Sequence, residues 1–452
     1  MFSRILVANR GEIAVRVIRA AHEAGIEAVA VYSTADADGL HVRLADRSVC
    51  IGPPAAADSY LRIPHVIAAA TTTGCEAVHP GYGFLAENAA FAETCADNDL
   101  VFIGPPPDVL ARLGDKVRAK AEMKAAGVPL VPGTDGAATL DEARRAAADV
   151  GFPVLLKAAA GGGGKGMRLV ADPEELEAAY AAAAAEAEAA FGDGSLYVER
   201  AMAPTRHVEI QVLCDAHGDV LTLGERECSI QRRHQKLIEE SPSCALTVET
   251  RESMESAVER ACNQIGYVNA GTFEFILGPD GEPYFIEVNC RLQVEHPVTE
   301  LVSGIDFVRR QIGIAAGGRL GFTGRAPRSG HAIEVRINAE DPTQGFTPAP
   351  GQVTRFRPPL GAGVRVDTAV EEGATITPYY DSMIAKVIVH DETRPTAIAR
   401  TVRALEELEV EGIPTTREVA LDVLRSDGFV RGEYSTSYLA EMEERLPSVA
   451  PA

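Results

Sequence analysis

Two clusters in this sequence have residue types and spacings suited to chemistry on phosphates, and the first is a run of four glycines set between lysines. It reads Lys157-Ala158-Ala159-Ala160-Gly161-Gly162-Gly163-Gly164-Lys165-Gly166-Met167-Arg168. Glycine has no Cβ, so successive backbone N–H groups can close on phosphate oxygens without side-chain interference. Lys157 ends the apolar run Val154-Leu155-Leu156 and Lys165 lies inside the loop, so both add positive charge. Glycine rather than Ser or Thr follows Lys165, which excludes a Walker A loop. A flexible linker is the bland alternative; the preceding strand and the flanking lysines favour a mobile phosphate lid.

The second cluster is acidic. Gly271-Thr272-Phe273-Glu274-Phe275-Ile276 sets a glutamate in an alternating apolar strand, and Tyr284-Phe285-Ile286-Glu287-Val288-Asn289 repeats the arrangement after Pro279-Asp280-Gly281. A hairpin across that turn puts Glu274 and Glu287 side by side, with Asn289 on the same face as Glu287. Hard oxygen donors beside a phosphate site suit Mg2+ or Mn2+, which take few carboxylates and complete their shells with substrate phosphate. Half-buried glutamates also pair with lysines, but the glycine loop upstream favours the metal. Arg291-Leu292-Gln293-Val294-Glu295-His296-Pro297 follows at once. Arg291 can grip a small planar anion through two parallel N–H bonds, and Glu295 is placed to act as a base. Gln231-Arg232-Arg233-His234-Gln235-Lys236 supplies further cations, although a basic run beside a turn is also what a solvated face looks like.

These groups need elements to hold them. Over the first hundred residues strand and helix alternate. Ile5 to Ala8 reads as a buried parallel strand, Asn9-Arg10-Gly11 turns into a helix with Ile13, Val17, Ala20, Ala21 and Ala24 on one face, and Ala28 to Tyr32 is the next strand. Strand-then-turn patterns recur at 77–83 and 101–104. The unit is Rossmann-like but lacks GxGxxG, so no dinucleotide is assigned to it. Pro105-Pro106-Pro107 is a rigid break, a helix follows through Asp115 to Ala126, and a second unit starts near Val131. The alanine-rich stretch 178–190 is expected to form a surface helix. Strands are expected at 207–213, 220–223, 271–277 and 283–288, and beyond about 333 strands mix with a closing helix at 396–408.

The chain of 452 residues is long enough for two to four domains. Its 65 acidic and 43 basic residues give a net charge of −22. Such a surface repels nucleic acid and anionic membrane, so a phosphate ligand must be met by local cations. No two of the eight cysteines lie closer than fourteen residues, which excludes CxxC redox and common zinc spacings and suits reduced thiols. Met1-Phe2-Ser3-Arg4 runs straight into a strand pattern, without signal or transit character, so the cytoplasm is the expected location.

Taken together, NRGEIA at 9–14, HPGYGFLAEN at 79–88, GDK at 114–116, KAAAGGGGKGMR at 157–168, RHVEIQV at 206–212 and ERECSIQRRHQK at 225–236 resemble biotin carboxylases. So do GTFEF at 271–275, RLQVEHPVTE at 291–300, INAEDP at 337–342 and PYYDSMIAK at 378–386, all in the family's order. The resemblance implies an α/β protein of the ATP-grasp fold: an N-terminal Rossmann-like domain at 1–114, connecting helices at 115–130, a small mobile lid at 131–203, a catalytic domain at 204–332 and a C-terminal α+β domain at 333–446. It implies that ATP phosphorylates bicarbonate to carboxyphosphate, and that a ureido nitrogen of biotin captures the released CO2.

By position, Lys116, Lys157, Gly163, Gly164 and Lys165 would meet the ATP phosphates. Glu199, Arg200, Ala201, Met202 and His207 would line the nucleotide, with Gln231 beside it and His234 near the ribose. Glu274, Glu287 and Asn289 would bind Mg2+ or Mn2+. Lys236, Arg291, Gln293 and Val294 would hold bicarbonate, Glu295 would deprotonate it, and Arg336 would steady the biotin enolate. The types fit, since a guanidinium stabilises an oxyanion without losing its own charge.

Departures from the family pattern are few. Arg200 stands where Lys is frequent, with its backbone expected to face adenine, and Cys290 is read as a small buried filler. No Ala-Met-Lys-Met biotin-attachment sequence occurs, and no carboxyltransferase sequence follows before Ala452. The biotin substrate is therefore expected on a separate carrier protein or domain, with a carboxyltransferase subunit as a further partner, as in the first half-reaction of an acyl-CoA carboxylase; the alternative is that the chain is an excised piece of a longer one. The family also implies a homodimer. Two other classes remain at this stage: an ATP-grasp ligase joining another acid to an amine, and a non-catalytic scaffold, whose mark would be loss of Glu295, Arg336 or a metal carboxylate.

Overall fold

The computed structural model describes residues 1–134, 136–159 and 167–445, without the side chains of 443–445. Gly163, Gly164 and Lys165, with the rest of the glycine run, lie outside the described residues.

The alternation in the first hundred residues produces a five-stranded sheet of β1 (Arg4–Val7), β2 (Glu27–Ser33), β3 (Arg47–Gly52), β4 (Ala77–His79) and β5 (Val101–Phe102). The order is β3-β2-β1-β4-β5, every pairing parallel. Strand periodicity of two sends Ile5 and Val7 to a core shared with helix Gly11–Glu23, and Leu6 to the opposite core with Tyr60 and Val66. Gly11 enters that helix at φ +65°, a turn that a side chain would strain.

A second, smaller sheet joins β6 (Val154–Ala158), β7 (Arg168–Val170) and β8 (Leu196–Arg200) in the order β7-β6-β8, all antiparallel. Helix Leu140–Val150 begins at a capping box between Thr139 and Glu142. The alanine-rich stretch forms helix Leu176–Phe191, closed by Gly192 in the left-handed region. Its surface is mostly wet, as expected, but Ala183 and Ala187 are buried against Ala158 and Leu196.

The largest sheet has nine strands. β9 (Arg206–Cys214), β10 (Val220–Arg232), β11 (Gln235–Ser241), β12 (Asn269–Leu277), β13 (Pro283–Asn289), β14 (Gly324–Arg325) and β15 (His331–Asn338) join Met383–Asp391 and Val364–Thr368. The order is β13-β12-β9-β10-β11-β15 and then the last two, with β14 paired to β10. Antiparallel pairing of β11 with β15 carries the sheet across the residue 332/333 division.

Two expectations change. The strand expected to stop at Leu223 runs on to Arg232, with a register shift between Thr222 and Glu225. Gly224 and the polar Glu225-Arg226-Glu227 break the apolar pattern in sequence, but here those polar residues are buried, and pairing carries the strand past them. Helix Arg394–Glu407 does not close the chain, because helices Arg417–Arg425, Asp427–Arg431 and Tyr438–Arg445 follow it. Among the described residues no helix is long and apolar enough to cross a membrane.

Candidate active site

The acidic hairpin forms as its alternation requires. Glu274 on β12 stands opposite Glu287 on β13, and Thr272 opposite Asn289. On the other side of β12, Glu274 pairs in register with Glu209 of β9, so three glutamates cross three neighbouring strands in one row. Like charges in such a row repel unless cations intervene. For Glu209 and Glu274 the protein supplies one: Lys236 Nζ lies 2.7 Å from Glu209 Oε2 and 3.1 Å from Glu274 Oε1. His207 Nε2 sits 3.1 Å from the other Glu274 oxygen. Burial disfavours charge on Glu274, yet Lys236 and His207 hold its carboxyl well below the usual range.

Glu287 is served less well. Among the described residues its ion pair is with Lys116, at the start of helix Lys116–Ala125, with Nζ 3.8 Å away. Burial and the neighbouring Glu274 carboxylate raise the Glu287 carboxyl above its ordinary value. This crowding of two carboxylates, with a cation deficit on the Glu287 side, is what a divalent metal relieves, so the donor set fits Mg2+ or Mn2+. Asn289 donates its amide to Glu274 Oε1 at 2.9 Å and accepts from Arg291 Nη2 at 2.8 Å.

Beyond the hairpin, the turn 290–295 delivers Glu295 into a buried ion cluster. Glu295 Oε1 accepts from Lys236 at 2.6 Å, and Oε2 accepts from Arg336 on β15 at 2.9 Å. Arg336 in turn donates through Nε to Glu239 of β11 at 2.6 Å. Burial opposes ionisation of Glu295, but Lys236, Arg336 and Arg226 keep its carboxyl well below the usual range. Glu239 behaves oppositely: burial, offset only in part by Arg336, pushes its carboxyl up to about 7.

Four participants escaped the sequence reading. Arg226 of β10 is wholly buried and donates to Glu209, to Gln211 at 2.7 Å, to Thr299 at 3.1 Å, to Thr272 at 3.2 Å and to Gln293 at 2.6 Å. Gln293 passes this on through its amide, 2.7 Å from Glu274. Glu209 and Glu239 anchor Lys236 and Arg336. Glu87 accepts from Arg291 Nε at 2.8 Å and from the Cys290 N–H at 2.9 Å. The signal for Glu209 was present, because His207, Glu209 and Gln211 share one face of a strand by period two. Arg226 left none, since its partners lie on β9, β12 and the 293–299 segment.

The basic run separates. Lys236 turns inward, whereas Arg232 donates to the Gly345 carbonyl and stacks 4.1 Å from the Phe346 ring centre. Gln231 is half-buried, and His234 is exposed in the turn between β10 and β11. On the nucleotide side, Lys157 of β6 lies 3.0 Å from Glu199 of β8, which also pairs with Lys120. Arg200 is exposed, with its backbone N–H bonded to the Pro132 carbonyl at 2.8 Å. Ala201 and Met202 are half-buried beside it. Cys290 is buried, and burial raises its thiol far above the reactive range, as suits a filler.

Models of known families match in three segments: "Biotin carboxylase, N-terminal domain" at residues 1–110, "Carbamoyl-phosphate synthase L chain, ATP binding domain" at 115–323, and "Biotin carboxylase C-terminal domain" at 334–441. The chain is 52% identical to a biotin carboxylase of Nostoc sp. over 445 residues, 98% of this chain and 100% of that one. Among solved structures it resembles the biotin carboxylase domain dimer of Hydrogenobacter thermophilus 2-oxoglutarate carboxylase, in complex with MgADP, ADP and bicarbonate. That match has a TM-score of 0.94 and 48% identity over 98% of both chains. A Campylobacter jejuni biotin carboxylase complexed with β-γ-ATP matches with a TM-score of 0.95 and 47% identity, over 98% of this chain and 99% of that one.

Proposed function

Since the chain belongs to the biotin carboxylase family, we propose that the cluster around Glu295 carries out the ATP-dependent carboxylation of biotin with bicarbonate. The observation that carries this reading is the sharing of Glu295, on the turn that directly follows the Glu274–Glu287 hairpin, between Lys236 and Arg336. Bicarbonate is a small planar anion, and Lys236 with Arg291, Gln293 and the Val294 backbone offers it cationic and hydrogen-bonding partners. Its arrival takes up part of the positive charge now held by Glu295. A carboxylate that loses cation partners becomes a stronger base, so binding itself equips Glu295 to accept the bicarbonate proton. The deprotonated oxygen then attacks the γ-phosphorus of ATP, ADP leaves, and carboxyphosphate forms.

Lys116, Lys157, Gly163, Gly164 and Lys165 face the phosphates in this reading. Glu199 to Met202, His207, Gln231 and His234 line the nucleotide. Glu274, Glu287 and Asn289 hold Mg2+ or Mn2+, which supplies charge neutralisation on the transferring phosphoryl group. Carboxyphosphate then gives CO2 and phosphate, the phosphate takes the ureido N–H proton, and the resulting biotin nitrogen captures the CO2. Arg336, already between two carboxylates, presents its guanidinium to the enolate oxygen that develops on biotin.

The biotin is carried by a separate carrier protein or domain, a carboxyltransferase subunit consumes the product, and two copies of the chain form a homodimer. The division at residues 114, 130, 203, 332 and 446 follows the same reading. The test is phosphate release and carboxybiotin formation, measured in parallel with free biotin. ATP cleavage that does not depend on bicarbonate would overturn the assignment.

A further inference from the structure

Three of the motifs quoted above, NRGEIA, HPGYGFLAEN and PYYDSMIAK, contribute residues that the proposed reaction leaves without a task, and they meet at Lys386. This lysine, on the strand Met383–Asp391, is 0% exposed. Its Nζ donates to the Val294 carbonyl at 2.9 Å and lies 3.0 Å from Glu12 Oε1. The same Glu12 oxygen accepts from the Tyr82 hydroxyl, whose ring centre is 5.9 Å from the ammonium. One ammonium therefore joins the first helix of the N-terminal sheet, the turn after β4, the C-terminal strands and the backbone next to Glu295.

A buried ammonium carries a large desolvation penalty, so a lysine persists at such a place only with close partners. Asp367, 3.9 Å away, is already taken by Arg365 through bonds of 2.8 and 2.6 Å, which leaves Glu12 as the main counter-charge. Burial works against the charge on Lys386, but Glu12, Glu334 and Asp367 hold the ammonium above its usual range.

What the lysine holds is informative. The carbonyls of the turn after β13 are fixed one after another by side chains. Leu292 accepts from Arg291 Nη1 at 3.2 Å, Gln293 from His296 Nδ1 at 2.7 Å, and Val294 from Lys386. The first two donors lie within three residues of the carbonyls they hold; the third arrives from 92 residues further along the chain.

We propose that Lys386 is a positioning residue for bicarbonate: pinned by Glu12, it fixes the Val294 peptide and so the backbone that presents Gln293, Val294 and Glu295. The inference rests on the reading of residues 291–295 as the bicarbonate site. It makes the geometry of that site depend on contact with the N-terminal unit, with no contact between Lys386 and substrate.

The test uses Lys386→Met and the double variant Lys386→Met/Glu12→Gln in the full-length chain, with steady-state kinetics varied separately in bicarbonate and in ATP. In Lys386→Met, kcat/KM for bicarbonate is expected to fall about 100-fold, as a displacement of about 1 Å produces, while KM for ATP stays within about twofold. The double variant removes the orphaned Glu12 charge, so it recovers melting temperature without recovering kcat/KM for bicarbonate. Unchanged bicarbonate kinetics in either folded variant, or recovery of those kinetics together with melting temperature, would overturn the proposal. Bicarbonate-independent ATP cleavage by the unaltered enzyme would instead overturn the site reading, and this inference with it, before any variant is made.

Discussion

The nine-stranded sheet and the small three-stranded unit differ in how many charged groups they bury beside their apolar cores. In the large sheet the reacting groups are buried and tied by multiple charged bonds: Lys236 touches three carboxylates, Arg226 five partners and Arg336 two. The small unit is held by an apolar core of Ala143, Ala147, Val154, Leu156, Val170, Leu176 and Val198, with a satellite of Ala158, Ala183, Ala187 and Leu196. Alanine buries little area, so this core resists local opening weakly. A preorganised charge cluster reacts without rearranging its dipoles, and a lightly packed unit opens and closes over a nucleotide at low cost. Under the proposed function, the difference separates where chemistry is done from where access to it is governed.

The comparison is tested hardest inside the charge cluster. Glu295→Ala should suppress phosphate release and carboxybiotin formation together, by about 1,000-fold or more, because no carboxyphosphate is made. Arg336→Ala should lower carboxybiotin formation about 100- to 1,000-fold while bicarbonate-dependent phosphate release persists, poorly coupled. Both products quantified on both variants provide the check, and equal loss of the two in Arg336→Ala would give that arginine a bicarbonate role instead.

The hairpin comes next. Glu274→Gln keeps the shape of a side chain that accepts from Lys236, Asn289 and Gln293 but removes its charge. ATP cleavage at limiting Mg2+ should fall about 100-fold, with a circular dichroism spectrum like that of the unaltered enzyme. Retention of normal cleavage under those conditions would remove Glu274 from the metal set.

How much of this was legible in sequence follows from the range of the interactions. Glu274 opposite Glu287 could be read because both facts are local: period-two alternation and a turn of the right length. The lysine-flanked glycines stand out by composition alone, but the run itself lies outside the described residues. Arg226 was not, because a charged residue within β10 makes sense only once β9 and β12 are known to flank it, and without them the strand seemed to end at Leu223. Lys386 was hidden for the same reason, since its partners Glu12 and Val294 are hundreds and tens of residues away. The inner rim of the site is therefore written locally, and the charges that fix it are written across the fold.

Acid should weaken the large sheet through a single buried carboxylate. Glu240, buried in the large sheet, is bonded to His331 at 2.6 Å and to Arg394 at 2.7 and 3.0 Å. Burial opposes its charge, yet His331 and Arg394 lower its carboxyl from 4.5 to about 2. A depressed value means stability that is present above the unfolded value and lost as pH falls from 4.5 through about 2. The loss is about 3 kcal/mol. Urea denaturation followed between pH 5 and pH 2 should show this decline, and Glu240→Gln should flatten it.

The smallest effect on turnover is expected in the small unit. Leu176 opens helix Leu176–Phe191 and is one of the few large side chains in the apolar core there, 2% exposed. Replacing it with alanine removes three carbons and leaves a cavity, at a cost of about 2–4 kcal/mol. If the unit were locked to the large sheet as one cooperative body, that cost would appear as a uniform loss of stability. If the two regions differ as argued, it appears locally. Hydrogen exchange should quicken at the amides of Val154–Ala158 and Leu196–Arg200 and stay unchanged along Arg206–Cys214 and Asn269–Leu277. KM for ATP should rise, by no more than about tenfold, because only a fraction of molecules then hold the unit ready for nucleotide. At saturating ATP, kcat and KM for bicarbonate should be preserved, since every group around Glu295 keeps its partners. Equal quickening of exchange in both sheets, or a fall in kcat matching the rise in KM, would show that the charge cluster depends on the small unit for its order.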